Sequence, residues 1–186
     1  SPLPDKLACV IGLKVGDKIT TDHIMPAGQR LKYRSNIPAY ARYVFEHVDP
    51  EFSGRAAADK EKGLFTAIVG GASYGQGSSR EHAAICPMHL GVRLVMAKSF
   101  ERIHSDNLIN FGILPLVFKN AGDYDSIKAG DSLEITKLRT QVMEAETVPV
   151  IIAGTEYSLS LALSQRQRTI LLEGGLLNYT KKKFGA

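Results

Sequence analysis

Between Phe65 and Phe118 short apolar runs alternate with Ala-rich and polar segments, and this rhythm limits what the chain can fold into. Phe65–Val69, Arg93–Ala97 and Ile113–Phe118 read as strands, and Glu81–Leu90 and Phe100–Asn110 as helices, the second closed by Gly112. A βαβαβ order implies parallel strands with helices packed against them. Residues 64–120 are therefore predicted to form the core of an α/β fold. Ahead of it, Val10–Val15 reads as a strand, Lys18–His23 as extended or loop structure, and Ile37–Val48 has helical spacing. Phe52–Lys62 is charged and Ala-rich, a helix or a mobile connection. After Asp123 the pattern changes: Asp131–Thr136, Val142–Glu146 and Val148–Ile152 read as short strands. Ser164–Glu173 reads as a helix ended by Gly174-Gly175. At 186 residues the chain is long enough for one domain with a core of its own, so 1–186 is read as a single domain. Within it, 1–8 is a linker or boundary segment, and 121–186 supplies short strands and a C-terminal helix.

The first strand-to-helix connection carries the strongest chemical signal. Residues 73–82 read Ser-Tyr-Gly-Gln-Gly-Ser-Ser-Arg-Glu-His, after Gly70-Gly71 and before Ala83-Ala84-Ile85. A helix N-terminus offers unpaired N–H groups and partial positive charge, so an anion is its natural occupant. Arg80 can grip a carboxylate or phosphate bidentately. The pattern points to a small polyanion held beside a serine. A structural cap is the bland reading of the same residues, since Ser-Ser is a routine N-cap pair. A Walker phosphate loop is excluded, because no Gly-Lys-Ser/Thr stands at the helix start. A dinucleotide fingerprint is excluded as well, since Arg80 fills the position of its third glycine.

Two other places invite chemistry. Asp22-His23, with Arg34 eleven residues on, has the makings of an acid–base pair, although an Asp in a turn serves equally as a local cap and Arg34 as a surface arginine. Arg102 and His104 open the second helix, where His104, between Ile103 and Leu108, reads as a hydrogen-bonded packing residue. His82 could support the arginine loop. No His, Cys, Asp and Glu set has metal-ligand spacing. Cys9 and Cys86 are the only cysteines; they form no Cys-x-x-Cys, suit a reducing cytoplasm, and are too few for an iron–sulfur cluster. No signal peptide is expected, and no apolar run reaches membrane-spanning length. The opening Ser-Pro-Leu-Pro, without methionine, is that of a linker, which predicts an excised part of a longer protein. The net charge of +4 comes partly from Lys181-Lys182-Lys183, which reads as a solvated helix end.

Four stretches in order carry a resemblance: Asp17-Lys-Ile-Thr-Thr-Asp-His-Ile-Met-Pro-Ala-Gly28, Tyr74-Gly-Gln-Gly-Ser-Ser-Arg-Glu-His-Ala-Ala84, Ala97-Lys-Ser-Phe-Glu-Arg-Ile-His104 and Asn107-Leu-Ile-Asn-Phe-Gly-Ile-Leu-Pro-Leu116. Together they resemble the C-terminal swivel domain of aconitase, which isopropylmalate isomerase and homoaconitase carry as a separate small subunit. The resemblance implies a three-layer, swivelling β/β/α domain with a mainly parallel central sheet. It implies a hydro-lyase of the tricarboxylic acid cycle, interconverting citrate and isocitrate through cis-aconitate. Ser78 falls at the family's catalytic base, Asp22 at an active-site carboxylate that supports a histidine from elsewhere, and His23 beside it joins the catalytic candidates. Ser79, Arg80 and Arg34 fall where the family contacts substrate carboxylates. The [4Fe–4S] cluster would be held by a partner, domains 1–3 of a longer chain or a large subunit, so this chain alone should be inactive. Arg34 and the insertion Ile37–Gly63 favour aconitase over isopropylmalate isomerase, whose substrate presents an alkyl group to that segment. A non-catalytic anion- or RNA-binding module is the reading from another class, though no RNA-recognition motif is present.

Overall fold

The computed structural model describes residues 1–185. Seven strands close into a barrel in the order β1-β2-β3-β4-β7-β6-β5. They are β1 (Leu7–Lys14), β2 (Phe65–Gly70), β3 (Val92–Ala97), β4 (Leu114–Phe118), β5 (Ser132–Ile135), β6 (Thr147–Ile152) and β7 (Thr155–Ser160). The run β1-β2-β3-β4 is parallel throughout. The pairs β4-β7, β7-β6, β6-β5 and β5-β1 are antiparallel. The expected mainly parallel sheet is thus corrected to a mixed, closed one. The reason is edge pairing: β1 and β4 each have a free edge beyond the parallel run, and the strands after residue 120 bridge them. Closure leaves no edge strand unpaired.

Alternation along the strands sorts two cores. Leu7, Cys9 and Ile11, Ala67 and Val69, Leu94 and Met96, Leu114 and Leu116, Leu133, Val148 and Val150, and Leu159 belong to one buried cluster. Every strand contributes to it, and only the barrel interior is common to all seven. Ile68, Val92, Val95 and Ala97 face the other way, into a second cluster under the helices. Those helices are α2 (Ile37–Ala41), α3 (Phe52–Glu61) and α4 (His82–His89). On this side the strands are covered on both faces, which is why Thr66–Gly70 is buried without a break rather than at alternate residues.

Other elements depart from the sequence expectation. Thr21–Ile24 is a short helix, α1, and not extended chain, because Thr20 caps it: the Thr20 hydroxyl accepts from the His23 amide and the His23 ring accepts from the Thr20 amide. After α5 (Arg102–Asn110), the expected strand Val142–Glu146 is a helix, α6 (Leu138–Glu144), whose Leu138 and Val142 are buried one turn apart. Strand β7 was not legible, since Leu159 is its one buried side chain; it follows a tight turn at Ala153-Gly154, both in the left-handed region. The helix expected from Ser164 is α7 (Gln165–Leu172), capped by Ser164, and α8 (Leu176–Phe184) follows it. At the N-terminus Leu3 is buried, its amide bonds the Leu172 carbonyl at 3.2 Å, and Leu7 and Ala8 lie in β1.

Candidate active site

The parallel strands deliver their C-terminal loops to one end of the barrel, the usual ligand end of such sheets. Here the loops are laced together by backbone bonds: Gly71 N–H to Gly16 O, Lys98 N–H to Gly71 O, Tyr74 N–H to Ser99 O, and Thr21 N–H to Gln76 O. The serine loop lies between two walls, the 16–25 segment on one side and the 99–107 segment on the other. Two glycines let it fit. Gly75 is in the left-handed region at φ +94° and Gly77 at φ +98°. A Cβ on Gly75 would also overlap the His104 ring.

The structure brings Ser78, Ser79, Arg80 and Asp22 together. Ser78 and Ser79 are exposed. The Arg80 side chain is largely covered, 18% exposed, and folds back: one terminal nitrogen donates to Asp22 Oδ1 at 2.8 Å and to the Met25 carbonyl at 2.7 Å. Its other terminal nitrogen, Nη1, is buried without a protein partner. Within the chain, the carboxylate that anchors this guanidinium is Asp22, itself 73% exposed. Helix α4 starts at His82 rather than beside the serines, yet the N–H groups of Gly77 through His82 donate to no protein acceptor among the described residues. A run of open amides beside an arginine is an anion-binding arrangement.

The other candidates take different places. Asp22 and His23 do not pair with each other. The His23 Nδ1 accepts from the Thr20 amide at 2.9 Å, which puts the proton of the neutral ring on Nε2, at the exposed edge. Arg34 is exposed at the end of a 3-10 turn (Gly28–Tyr33), and its guanidinium has no protein partner among the described residues. The His82 ring lies 2.9 Å from the Arg34 carbonyl, so it braces that turn and not the arginine loop. His104 is 2% exposed and packs between Gly75 and Tyr74, but neither ring nitrogen has a partner. The hydrogen bond expected for it is absent, and burial pushes its pKa down to about 4, keeping the ring neutral. One turn on, Asn107 reaches toward the Ser79 hydroxyl at 3.5 Å. Between loop and helix lies a cavity of about 550 Å³ lined by Thr21, Gly77, Ser79, Arg102, His104 and Asn107.

No group of three potential metal-binding side chains occurs among the described residues. Cys9 faces the barrel interior and Cys86 the helical layer, and burial pushes both thiols up to about 12. Two protonated thiols in separate cores do not fit a cluster.

Residues 18–121 match the family model described as the aconitase C-terminal domain. The chain belongs to that family. A probable mitochondrial aconitate hydratase from Dictyostelium discoideum is 34% identical, over 92% of the chain and 25% of that protein. The chain spans about a quarter of the length of that relative and of the other aconitate hydratases it matches. The small subunit 2 of 3-isopropylmalate dehydratase from Archaeoglobus fulgidus is 40% identical, covering 91% of the chain and 92% of that protein. A crystal structure of 3-isopropylmalate dehydratase from Methanocaldococcus jannaschii superposes with a TM-score of 0.72 at 30% identity, over 96% of this chain and 95% of that one. Within the family frame, no helix among the described residues is long and apolar enough to cross a membrane.

Proposed function

We propose that the chain is the swivelling domain of an aconitate hydratase, a hydro-lyase of the tricarboxylic acid cycle that interconverts citrate and isocitrate. The observation that carries this reading is the loop Ser78–Arg80: a serine hydroxyl, a run of open amides and an arginine, at the C-terminal end of the parallel strands. On this reading Ser78 takes the proton from the substrate carbon. Serine is a poor base in water, but its alkoxide is stabilised beside a guanidinium and unpaired N–H groups. Ser79 and Arg80 grip one carboxylate of the trianion and Arg34 another. Asp22 holds Arg80 and, at its exposed oxygen, faces outward toward a partner, as does His23. A [4Fe–4S] cluster does not fit the residues present among those described. The partner is a cluster-bearing region, in the same longer chain or in a large subunit. The cytoplasm suits two reduced, buried thiols, although several relatives are named as mitochondrial.

A second reading, the small-subunit domain of an isopropylmalate dehydratase, is favoured by the 40% identity to the archaeal protein. Arg34 weighs against it, because an exposed guanidinium suits a carboxylate and not an alkyl group. Kinetics of the chain joined to its cluster-bearing region test both. Ser78→Ala should lower kcat for citrate by about 10²–10⁴-fold with KM nearly unchanged, the size of a general-base contribution. Ser79→Ala should act mainly on KM. The reverse pattern would overturn the assignment, and turnover of isopropylmalate but not citrate would select the second reading.

A further inference from the structure

The chain holds its exposed reactive loop by very little. Among the described residues, a single protein hydrogen bond reaches the backbone of residues 77–79: the Thr21 hydroxyl donates to the Ser78 carbonyl at 3.0 Å. Thr21 is 3% exposed and comes 57 positions earlier in sequence. Its hydroxyl has no local duty, since Thr20 caps α1. Its amide is already fixed by the bond to Gln76 O at 2.8 Å, so the hydroxyl stands at a set height above the loop. Gly77, with φ +98°, lies just ahead of the serines in a backbone region that favours glycine.

We infer that Thr21 is a positioning residue for the reaction, acting by orienting the Ser78–Ser79 peptide. This rests on the reading of Ser78 as the base. A trans peptide is planar, so its C=O and N–H point in opposite directions. With the Ser78 carbonyl tied to Thr21, the Ser79 N–H points away from α1 and stays open for an anion. The same restraint fixes the backbone from which the Ser78 hydroxyl projects. Thr21 acts through the loop and sets where the Ser78 and Ser79 groups stand.

Thr21→Val keeps the shape and the backbone bond to Gln76 and removes the hydroxyl. Assayed in the complete enzyme beside Ser78→Ala, it should lower kcat by about tenfold to a hundredfold, the effect of a displacement near 1 Å. KM for citrate should change by less than kcat does. The melting temperature should fall only slightly, because Ser78 is exposed and water can reach its carbonyl from the loop side. Thr21→Ser, which restores the hydroxyl, should recover most of kcat. Wild-type kcat in Thr21→Val while Ser78→Ala is inactive would overturn the inference alone. So would equal damage in the Val and Ser variants with a markedly lowered melting temperature. An active Ser78→Ala would instead overturn the underlying assignment of the base, and this inference with it.

Discussion

His104 is the least comfortable residue beside the loop. It lies in contact with Gly75 and Tyr74, and both of its nitrogens are bare. Burial holds its pKa at about 4, against an ordinary 6.5. The folded state therefore resists protonation more than the unfolded chain does. Its contribution to stability is fully present above pH 6.5 and is lost as pH falls through the window from 6.5 to about 4. The size of that loss is roughly 3 kcal/mol. Urea unfolding of the wild type and of His104→Leu between about pH 7 and about pH 4 measures it. The wild type should lose more stability on acidification than the variant; equal losses would show that His104 does not titrate in this way. At this scale the sequence was informative where chemistry is local. The serines and Arg80 stand next to each other in the chain, and their convergence could be read off. Thr21 and Asp22 could not be assigned their partners, because the bonds to Ser78 and Arg80 close over more than fifty residues and depend on how two loops cross.

Among the elements, one α7 side chain ties down α6, the connection after it and the segment that follows β7. Arg168 is 4% exposed and donates to the carbonyls of Leu163, Val142, Ala145 and Leu161, with its remaining contact at Glu146. Arg168→Met should cost about 3 kcal/mol or more, since several buried acceptors lose their donor at once. It should show as a fall in the urea midpoint of the isolated chain; an unchanged midpoint would mean that the carbonyls find other donors. The βαβαβ stretch was legible because each of its strands is buried on two faces and bounded by glycine. The later part was less so. Strand β7 buries little, and α6 places two apolar side chains one turn apart in a segment otherwise polar. Barrel closure was not legible at all, because it follows from which edges remain free, a property of the assembled sheet.

Taken whole, the chain presents a loop of open amides and an arginine at one end of a closed barrel and, among the described residues, no group of three potential metal-binding side chains. Its relatives differ in what surrounds this unit: the aconitate hydratases are about four times its length, whereas the archaeal small subunit is matched over nearly all of its own. The central claim is that this chain supplies the base and the carboxylate grip, and a separate region supplies the rest. Turnover to cis-aconitate by the pure chain, treated with iron and sulfide, and by the same chain combined with its cluster-bearing region tests that claim. The chain alone should show neither cluster absorbance nor turnover, and the combination should show both. Turnover of citrate by the chain alone would contradict the account.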